Sequence, residues 1–326
     1  MKTIVSVFLY MMICSIQIYA VSAEELNLNA KTAVIMDAES GKILYEKSKD
    51  QKMPNASTTK ILTCLYILKH CDLDQMAEVS KNAEMQPKVR LGVREGEKYK
   101  VKDLLYGLML ESYNDCAVVL AEHAEGSVEK FEKRMNQMAE DLGTSNTHIV
   151  TPNDLDGIDK KGRHETTAQD LAKIMARCIK DQQFLEITQT KQYTFTDGSK
   201  KRRFTCNNHN ALLSSMQGVI SGKTGYTSKA GYCYVGAVKQ KNMTMTFSVL
   251  ASGWPPHKTY KWKDVRKLVQ YATDHYERRE IIADTSKIKE INIKNGLKEK
   301  VLLKTGNPKV AFLVKKTDKI KIESIL

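Results

Sequence analysis

The stretch MPNASTTKIL, residues 53–62, determines how the rest of the chain is interpreted. Pro54 and Asn55 are typical of a helix start, and the apolar residues that follow recur with helical spacing. Ser57 and Lys60 lie three positions apart, so their side chains project from one face of that helix. Free backbone N–H groups and the dipole at a helix N-terminus favour developing negative charge. The stretch therefore predicts a serine within reach of a lysine at the start of a helix.

The Ser-x-x-Lys spacing alone identifies nothing, because it occurs at two other places in the chain. Ser127 is interpreted as the N-cap of an ordinary helix, with Lys130 on its wet face. Ser286 lies in an alternating segment, where positions three apart point to opposite faces of a strand. An N-cap is also the alternative for Ser57, and catalysis is favoured there only when two further motifs are counted.

The second motif is Ser112-Tyr113-Asn114, in a predicted break between two helical segments. Polar side chains in such a break can project into a cleft, although Ser112 taken alone is better explained as a turn residue that caps the next helix. The other Ser-x-Asn, at Ser80, lies in a polar stretch with nothing around it to bury.

The third motif is Lys223-Thr224-Gly225, inside a β-rich run. A strand that ends beside the serine could present Lys223 to a carboxylate, and Gly225 would let substrate approach the backbone. The second Lys-Thr-Gly begins at Lys304 and reads as a hairpin turn in the tail, so Lys223 is favoured.

Periodicity along the chain predicts a mixture of helices and antiparallel strands. A hairpin is expected first and a meander of three β-rich runs near the end, with most of the helices between them. The predicted strands span 32–37, 42–45, 219–226, 231–238 and 243–251, and the predicted helical segments 101–142 in several pieces, 166–180 and 258–278.

Both ends of the chain differ in composition from the middle. Lys2, the apolar run 4–19 and Val21-Ser22-Ala23 predict a secretory signal peptide over residues 1–23, with an uncleaved anchor as the alternative. Removal of Lys2 with that segment takes the net charge from +13 to +12. This charge is compatible with contact with an anionic cell wall or membrane face, and a solvated surface that only keeps the protein soluble is the alternative. No partner nucleic acid is expected, since the basic residues form no stripe interleaved with aromatic residues.

Residues 280–326 contain 11 Lys against 6 Asp plus Glu and alternate Lys with apolar residues. This predicts a short C-terminal β module after a catalytic domain over residues 24–279. Six cysteines follow the signal segment without a CxxC pair, so a zinc or redox site is not expected. Free thiols in an anaerobic organism and disulfides both stay open as explanations of so many cysteines in an exported chain.

The three motifs in this order resemble those of the low-molecular-mass penicillin-binding proteins that act as D-alanyl-D-alanine carboxypeptidases. Residues 28–278 share the resemblance, which includes the stretches 151–153, 206–210 and 230–232. It implies an α/β (α+β) sandwich of the β-lactamase/transpeptidase-like type, with an antiparallel sheet between helices and a β-rich C-terminal module. It implies a peptidoglycan pentapeptide ending in D-Ala-D-Ala as substrate, β-lactam antibiotics as covalent inhibitors, and no metal or cofactor.

The resemblance also assigns roles to residues. It makes Ser57 the nucleophile, Lys60 its base and Ser112 a proton relay, with burial and Lys223 both lowering the pKa of Lys60. It makes Asn114 a ligand of the substrate amide, and it gives the terminal carboxylate to Lys223 and Thr224 beside Gly225. The backbone N–H groups of Ser57 and Tyr226 would bind the oxyanion.

Two departures from that family are visible. Tyr113 is large where relatives often have a small residue, so a narrowed cleft or altered substrate preference is expected. No amphipathic C-terminal helix, by which many relatives bind membrane, is expected in the tail. Two other functions stay open: a β-lactamase on the same scaffold, and a wall-binding or sensor protein with an inactive site, against which the intact motifs argue.

Three other features of the sequence suggest possible sites. His164 and His209 suggest a Ser-His-Asp triad, but the chain has no Gly-x-Ser-x-Gly elbow, and both histidines are expected to order loops. Asp154, Asp156 and Asp159 suggest calcium, but the rest of an EF-hand pattern is missing, so a solvated loop is expected.

Overall fold

Residues 26–282, 290–292, 300–302 and 309–319 are described by the structure, which is a computed structural model. The predicted signal segment, Ser286 and Lys304 lie outside these residues. The strands are β1 (Thr32–Asp37), β2 (Ile43–Lys47), β3 (Met76–Glu78), β4 (Lys98–Lys100), β5 (Gln192–Thr196), β6 (Arg203–Asn207), β7 (Val219–Thr227), β8 (Gly231–Gln240), β9 (Met243–Leu250), β10 (Tyr276–Ile282), β11 (Glu290–Asn292), β12 (Lys300–Leu302) and β13 (Lys309–Lys315). The α-helices are α1 (Lys60–His70), α2 (Lys81–Glu84), α3 (Val101–Tyr106), α4 (Asn114–Glu125), α5 (Val128–Asp141), α6 (Ala168–Cys178), α7 (Gln182–Gln189), α8 (Leu212–Ser215) and α9 (Tyr260–His275).

A five-stranded antiparallel sheet in the order β2-β1-β9-β8-β7 forms the centre of the molecule. Strand β1 is buried along its whole length, because both faces of the sheet are covered. Alternation sends Val34 and Met36 into one hydrophobic core and Ala33 and Ile35 into the other. The predicted sandwich, with an antiparallel sheet between helices, is therefore confirmed.

The helices that carry the site cover one face of this sheet. Helix α6 packs against β1, β8 and β9, and α1 packs against α4, α5 and α6. The other face is covered by α9, whose Val265, Leu268 and Val269 join the second core. The predicted helix over 258–278 ends early, because residues from Tyr276 onward form β10 and pair with β13 instead.

The tail contacts the first hairpin of the sheet. β10 pairs antiparallel with β13, and β11 with β12. The hydroxyl of Tyr276 donates to the Leu44 carbonyl at 3.1 Å, and Nη2 of Arg278 lies 3.2 Å from Oδ1 of Asp37. These strands begin before residue 280, and a separate module with that boundary stays a prediction.

All six cysteines after the signal segment are free, so disulfides are not the reason for their number. Five are buried, and burial raises the pKa values of Cys64, Cys116 and Cys178, which are core residues as predicted. Within the described ranges, no helix has both the length and the apolar character needed to cross a membrane.

Candidate active site

Ser57 lies in a single 3₁₀ turn, Ala56–Thr58, immediately before α1. The turn is held by Asn55, whose Nδ2 donates to the Ala56 carbonyl at 3.0 Å and to Thr59 Oγ1 at 3.1 Å. Thr59 is the N-cap residue of α1, and it makes no capping bond with its side chain. The alternative of Ser57 as a helix cap is therefore wrong, and its hydroxyl is available to other groups.

Lys60 hydrogen-bonds with Ser57 and with two residues of the second motif. Its side chain is fully buried, and Nζ donates to Ser57 Oγ at 3.1 Å and to Asn114 Oδ1 at 3.0 Å. It also donates to the carbonyl and the hydroxyl of Ser112, at 2.8 and 3.1 Å. Burial lowers the pKa of Lys60 to about 8, although the negative charge of Asp154 acts against this. Roughly a tenth of Lys60 is therefore neutral at pH 7, and about half at pH 8.

Ser112 reaches Lys60 because the chain changes helical form at this point. The π-helix Gly107–Glu111 ends at Ser112, which has a left-handed backbone with φ +66°, before α4 begins. Asn114 is fixed by its own Nδ2, which donates to the Pro87 carbonyl at 3.2 Å. Tyr113 packs against the hydrophobic core and is absent from the described residues that line the cavity, so the expected narrowing of the cleft is wrong.

Lys223 approaches the same hydroxyl from the opposite side. It lies on β7, is 2% exposed, and donates to Ser112 Oγ at 3.0 Å and to the Thr224 carbonyl at 2.8 Å. Burial and the charge of Lys60 both hold the pKa of Lys223 well below its usual value. Two lysines therefore share Ser112. Burial is the main cause that lowers the pKa of Lys60, and repulsion between the two ammonium forms disfavours both being charged at once.

Gly225 lets β7 pack directly on the serine turn. A Cβ added there would lie 2.8 Å from the Ser57 nitrogen and 2.9 Å from the Ala56 Cβ, closer than real side chains come. The close approach that this glycine permits is therefore between strand β7 and the serine turn of the protein itself. The approach of substrate to this backbone, expected from the sequence, stays a prediction. Tyr226 follows with a half-exposed ring, 4.7 Å from that of Tyr232.

A cavity of about 530 Å³ opens above these groups. Six of the eight residues singled out in the sequence line it, and Lys60 and Lys223 lie beneath its floor, in contact with Ser112. The six are Ser57, Ser112, Asn114, Thr224, Gly225 and Tyr226. The structure thus brings together residues that are up to 169 positions apart in sequence.

Asp154 is the residue that sequence reasoning missed. It was expected in a solvated loop, but it is 3% exposed and lines the cavity. The adjoining stretch 151–153, one of those that share the resemblance, is the signal that could have drawn attention to it. In the described part of the chain, no group of three or more His, Cys, Asp or Glu residues is arranged to hold a metal ion.

His164 orders the loop, as expected. Its Nδ1 accepts from the backbone N–H groups of Val150 and Thr151, at 3.2 and 3.4 Å, and Nε2 lies 3.3 Å from Thr59 Oγ1. Burial lowers the pKa of His164 to about 3, so the ring is neutral. His209 instead lies at the cavity rim, where its Nε2 is 2.7 Å from Glu111 Oε2.

Comparison with known proteins identifies the class of protein. A family model described as D-alanyl-D-alanine carboxypeptidase matches residues 19–253. The carboxypeptidase DacF of Bacillus subtilis is 30% identical over 297 residues, which are 90% of this chain and 74% of the relative. A D-alanyl-D-alanine carboxypeptidase of a Streptomyces species is 34% identical over 254 residues, covering 72% of this chain and 84% of that protein.

Solved structures agree with this grouping. A D-alanyl-D-alanine carboxypeptidase from Mycobacterium tuberculosis superposes with a TM-score of 0.72 at 29% identity, over 78% of this chain and 95% of the other. A Streptomyces DD-transpeptidase variant gives 0.70 at 30% identity, over 77% and 100%. The fold and the comparisons define a serine hydrolase of the penicillin-binding type. The chain belongs to the D-alanyl-D-alanine carboxypeptidase family.

Proposed function

We propose that the protein removes the terminal D-alanine from peptidoglycan stem peptides through an acyl-enzyme on Ser57. The observation that carries this proposal is the position of Lys60 Nζ, 3.1 Å from the hydroxyl oxygens of both Ser57 and Ser112. A nucleophile and its base at hydrogen-bond distance are the requirement for covalent catalysis. Family membership supports the same activity.

In the first step, Ser57 Oγ attacks the carbonyl carbon of the terminal D-Ala–D-Ala bond, and its proton moves to Lys60. Lys60 must be neutral to accept that proton, which a pKa of about 8 allows. The backbone N–H groups of Ser57 and Tyr226 then bind the oxyanion. The close packing of β7 on the serine turn, which Gly225 permits, supports this pairing.

In the second step, the C–N bond breaks and the leaving amine takes up a proton through Ser112. Ser112 suits this relay because its hydroxyl lies between the Nζ atoms of Lys60 and Lys223, each 3.0–3.1 Å away. Water then attacks the ester on Ser57, releasing the shortened peptide and returning a proton to the serine. No part of this scheme calls for a metal ion or a cofactor.

Substrate orientation is assigned to the residues around this centre. Lys223 and Thr224 receive the terminal carboxylate, and Asn114 binds the penultimate amide. An incoming carboxylate offsets the repulsion that Lys223 experiences from Lys60, so its binding favours the charged form of Lys223. The strained carbonyl of a β-lactam meets the same groups, and it would acylate Ser57 in the same way.

The proposed place of action rests on the N-terminal segment and on the net charge. An apolar segment over residues 4–19 and a mature charge of +12 support export and contact with an anionic wall or the outer face of the membrane. There the enzyme would remodel peptidoglycan and affect cell shape. The mature N-terminus of the exported protein, read by sequencing, should begin after Ala23, and an intact Met1 would contradict cleavage.

The central test is Ser57→Ala with Ser127→Ala as the matched control. Ser57→Ala should abolish both labelling by a fluorescent penicillin and release of D-alanine from a pentapeptide ending in D-Ala-D-Ala. Ser127→Ala should retain both. Labelling that persists in Ser57→Ala would rule out the assignment.

Nitrocefin hydrolysis, measured beside these two assays, separates the two other functions. A β-lactamase would hydrolyse nitrocefin with high turnover, whereas the proposed enzyme should stay acylated and turn over pentapeptide. A protein with an inactive site would release no D-alanine and take no label.

A further inference from the structure

Asp154 is a buried carboxylate at the catalytic cavity to which the scheme above gives no role. It is 3% exposed, and no described residue hydrogen-bonds with its Oδ2. Its backbone is left-handed, with φ +62°, a conformation that a residue other than glycine rarely adopts. A buried carboxylate is costly unless a cation compensates it, and backbone strain of this kind persists where the surrounding structure holds it. Both features direct attention to what the carboxylate faces.

The groups that face Asp154 come from three parts of the fold. They are Lys60 and the Thr59 hydroxyl on α1 and its cap, Lys223 on β7, and His164 on its own loop. His164 is not the compensating cation. Its Nδ1 accepts two backbone N–H groups, so its one proton is on Nε2, which lies 3.6 Å from Asp154 Oδ1.

Lys60 is therefore the main positive charge that compensates Asp154. Asp115 and Cys116 also face Lys60, from α4, and their effect on its pKa is smaller than that of Asp154. The Asp115 carboxylate already accepts the backbone N–H groups of Leu91, Gly92 and Val93. Asp154 faces only the Thr59 hydroxyl and the Lys60 backbone N–H as donors, and its Oδ2 has no hydrogen-bond partner among the described residues. Its carboxylate makes no ion pair with Lys60 Nζ within 4 Å there, so its charge acts on Lys60 through space.

We propose that Asp154 is a positioning residue of the reaction, whose buried carboxylate acts on Lys60 through space. Lys60 becomes an ammonium when it takes the Ser57 proton, and the Asp154 carboxylate stabilises that ammonium as it forms. Asp154 stays ionised throughout, and the proton stays on Lys60 until Ser112 passes one to the leaving amine. The inference rests on the proposed roles of Ser57 and Lys60.

The protonation states agree with this order of events. Burial raises the pKa of Asp154 to about 6, although Lys60 acts to lower it, and the pKa of Lys60 is about 8. Asp154 is therefore already charged over the pH range in which Lys60 loses its proton. Removing that negative charge disfavours the ammonium, so the pKa of Lys60 should fall further.

The test is the pH dependence of acylation by a fluorescent penicillin, measured as a second-order rate constant from pH 5 to 10. In Asp154→Asn, the acid limb should move to lower pH by about 1 unit, because an opposite charge has been removed. The plateau rate should fall about tenfold, because the ammonium is no longer stabilised as it forms. Asp156→Asn, an exposed acid on the same loop, should leave both features unchanged.

Asp154→Gly provides a second variant, since glycine adopts a φ of +62° without strain. It should reproduce the shift in the acid limb, and it decides the outcome if Asp154→Asn does not fold. A lower plateau with an unmoved acid limb in the folded variant would mean that Asp154 only shapes the loop, and would overturn the proposal. An unchanged profile would overturn it too. Failure of the proposed function is a separate result, namely labelling of Ser57→Ala.

Discussion

The chain contains the same four-residue pattern at Ser57–Lys60 and at Ser127–Lys130, and the two serines make different hydrogen bonds in the structure. Ser127 Oγ accepts the backbone N–H of Lys130 at 3.2 Å and caps α5, and the Lys130 side chain is exposed. Ser57 makes no capping bond, and its hydroxyl instead accepts from the buried Nζ of Lys60. In the Ser127 pair the serine hydroxyl accepts from a backbone N–H, and in the Ser57 pair it accepts from the lysine side chain.

The difference arises from parts of the fold that the pattern does not contain. Lys60 is buried under groups from α4 and β7, whereas Lys130 is on the solvent side of α5. A lysine becomes a base near neutral pH only when burial or nearby charge lowers its pKa. The same spacing therefore carries chemistry only where the fold removes the ammonium from water.

The largest expected effect is that of Lys60→Met compared with Lys130→Met. Methionine preserves much of the length of lysine but cannot accept a proton. Lys60→Met should lower the rate constant of acylation by a fluorescent penicillin about a thousandfold or more, as expected for loss of a general base. Lys130→Met should retain the full rate. A Lys60→Met enzyme within tenfold of the wild-type rate would contradict the role of Lys60.

The second prediction compares the two Ser-x-Asn sites. Ser112→Ala removes the hydroxyl between the two lysines and should slow release of D-alanine about a hundredfold. Ser80 caps α2, because its Oγ accepts the N–H of Ala83 at 3.0 Å, so Ser80→Ala should cost about 1 kcal/mol of stability at an unchanged turnover number. Turnover of a D-Ala-D-Ala pentapeptide, with thermal unfolding as the control, measures both. Equal turnover in the two variants would refute a relay through Ser112.

Local pattern was enough to predict most of the fold. Strand β1 falls at residues 32–37 as predicted, and the meander of β7, β8 and β9 is confirmed to within two residues at each end. Long apolar runs bounded by turns are fixed by burial, and burial is encoded in the residues themselves. The end of α9 was not predictable in this way, because pairing of Tyr276 with Lys315 overrides a helical pattern.

The site was predictable only where a motif pointed to it. Ser57, Ser112 and Lys223 follow from three short patterns in one order, and the fold brings them within hydrogen-bond distance of Lys60 or Ser112. Asp154 belongs to no such pattern, and three aspartates on one loop are ordinarily a sign of solvent. Its burial depends on where the loop of His164 lies against Thr59 at the start of α1, which is a tertiary property.

The third prediction concerns pH, and it sharpens the contrast between a buried and an exposed lysine. The neutral form of Lys60 is the reactive one, so the acylation rate falls as pH decreases below its pKa of about 8. The fall should be about tenfold per pH unit, reaching about a hundredfold at pH 6 relative to the plateau. Stopped-flow acylation across pH 5–10 measures this limb, with Lys130→Met as the matched control. A rate independent of pH between 6 and 9 would contradict Lys60 as the base.

The smallest expected effect is on the free energy of unfolding, and here Ser127 is expected to matter more than Ser57. Ser127→Ala removes a capping bond and should lower the free energy of unfolding by about 1 kcal/mol, measured by urea denaturation, with acylation unchanged. Ser57→Ala removes no capping bond and should change that free energy by less than about 0.5 kcal/mol. Ser127→Ala is then detected by urea denaturation and not by acylation, whereas Ser57→Ala is detected by acylation and not by urea denaturation. A Ser57→Ala variant that loses stability as Ser127→Ala does would mean that the serine turn before α1 depends on this hydroxyl for its structure.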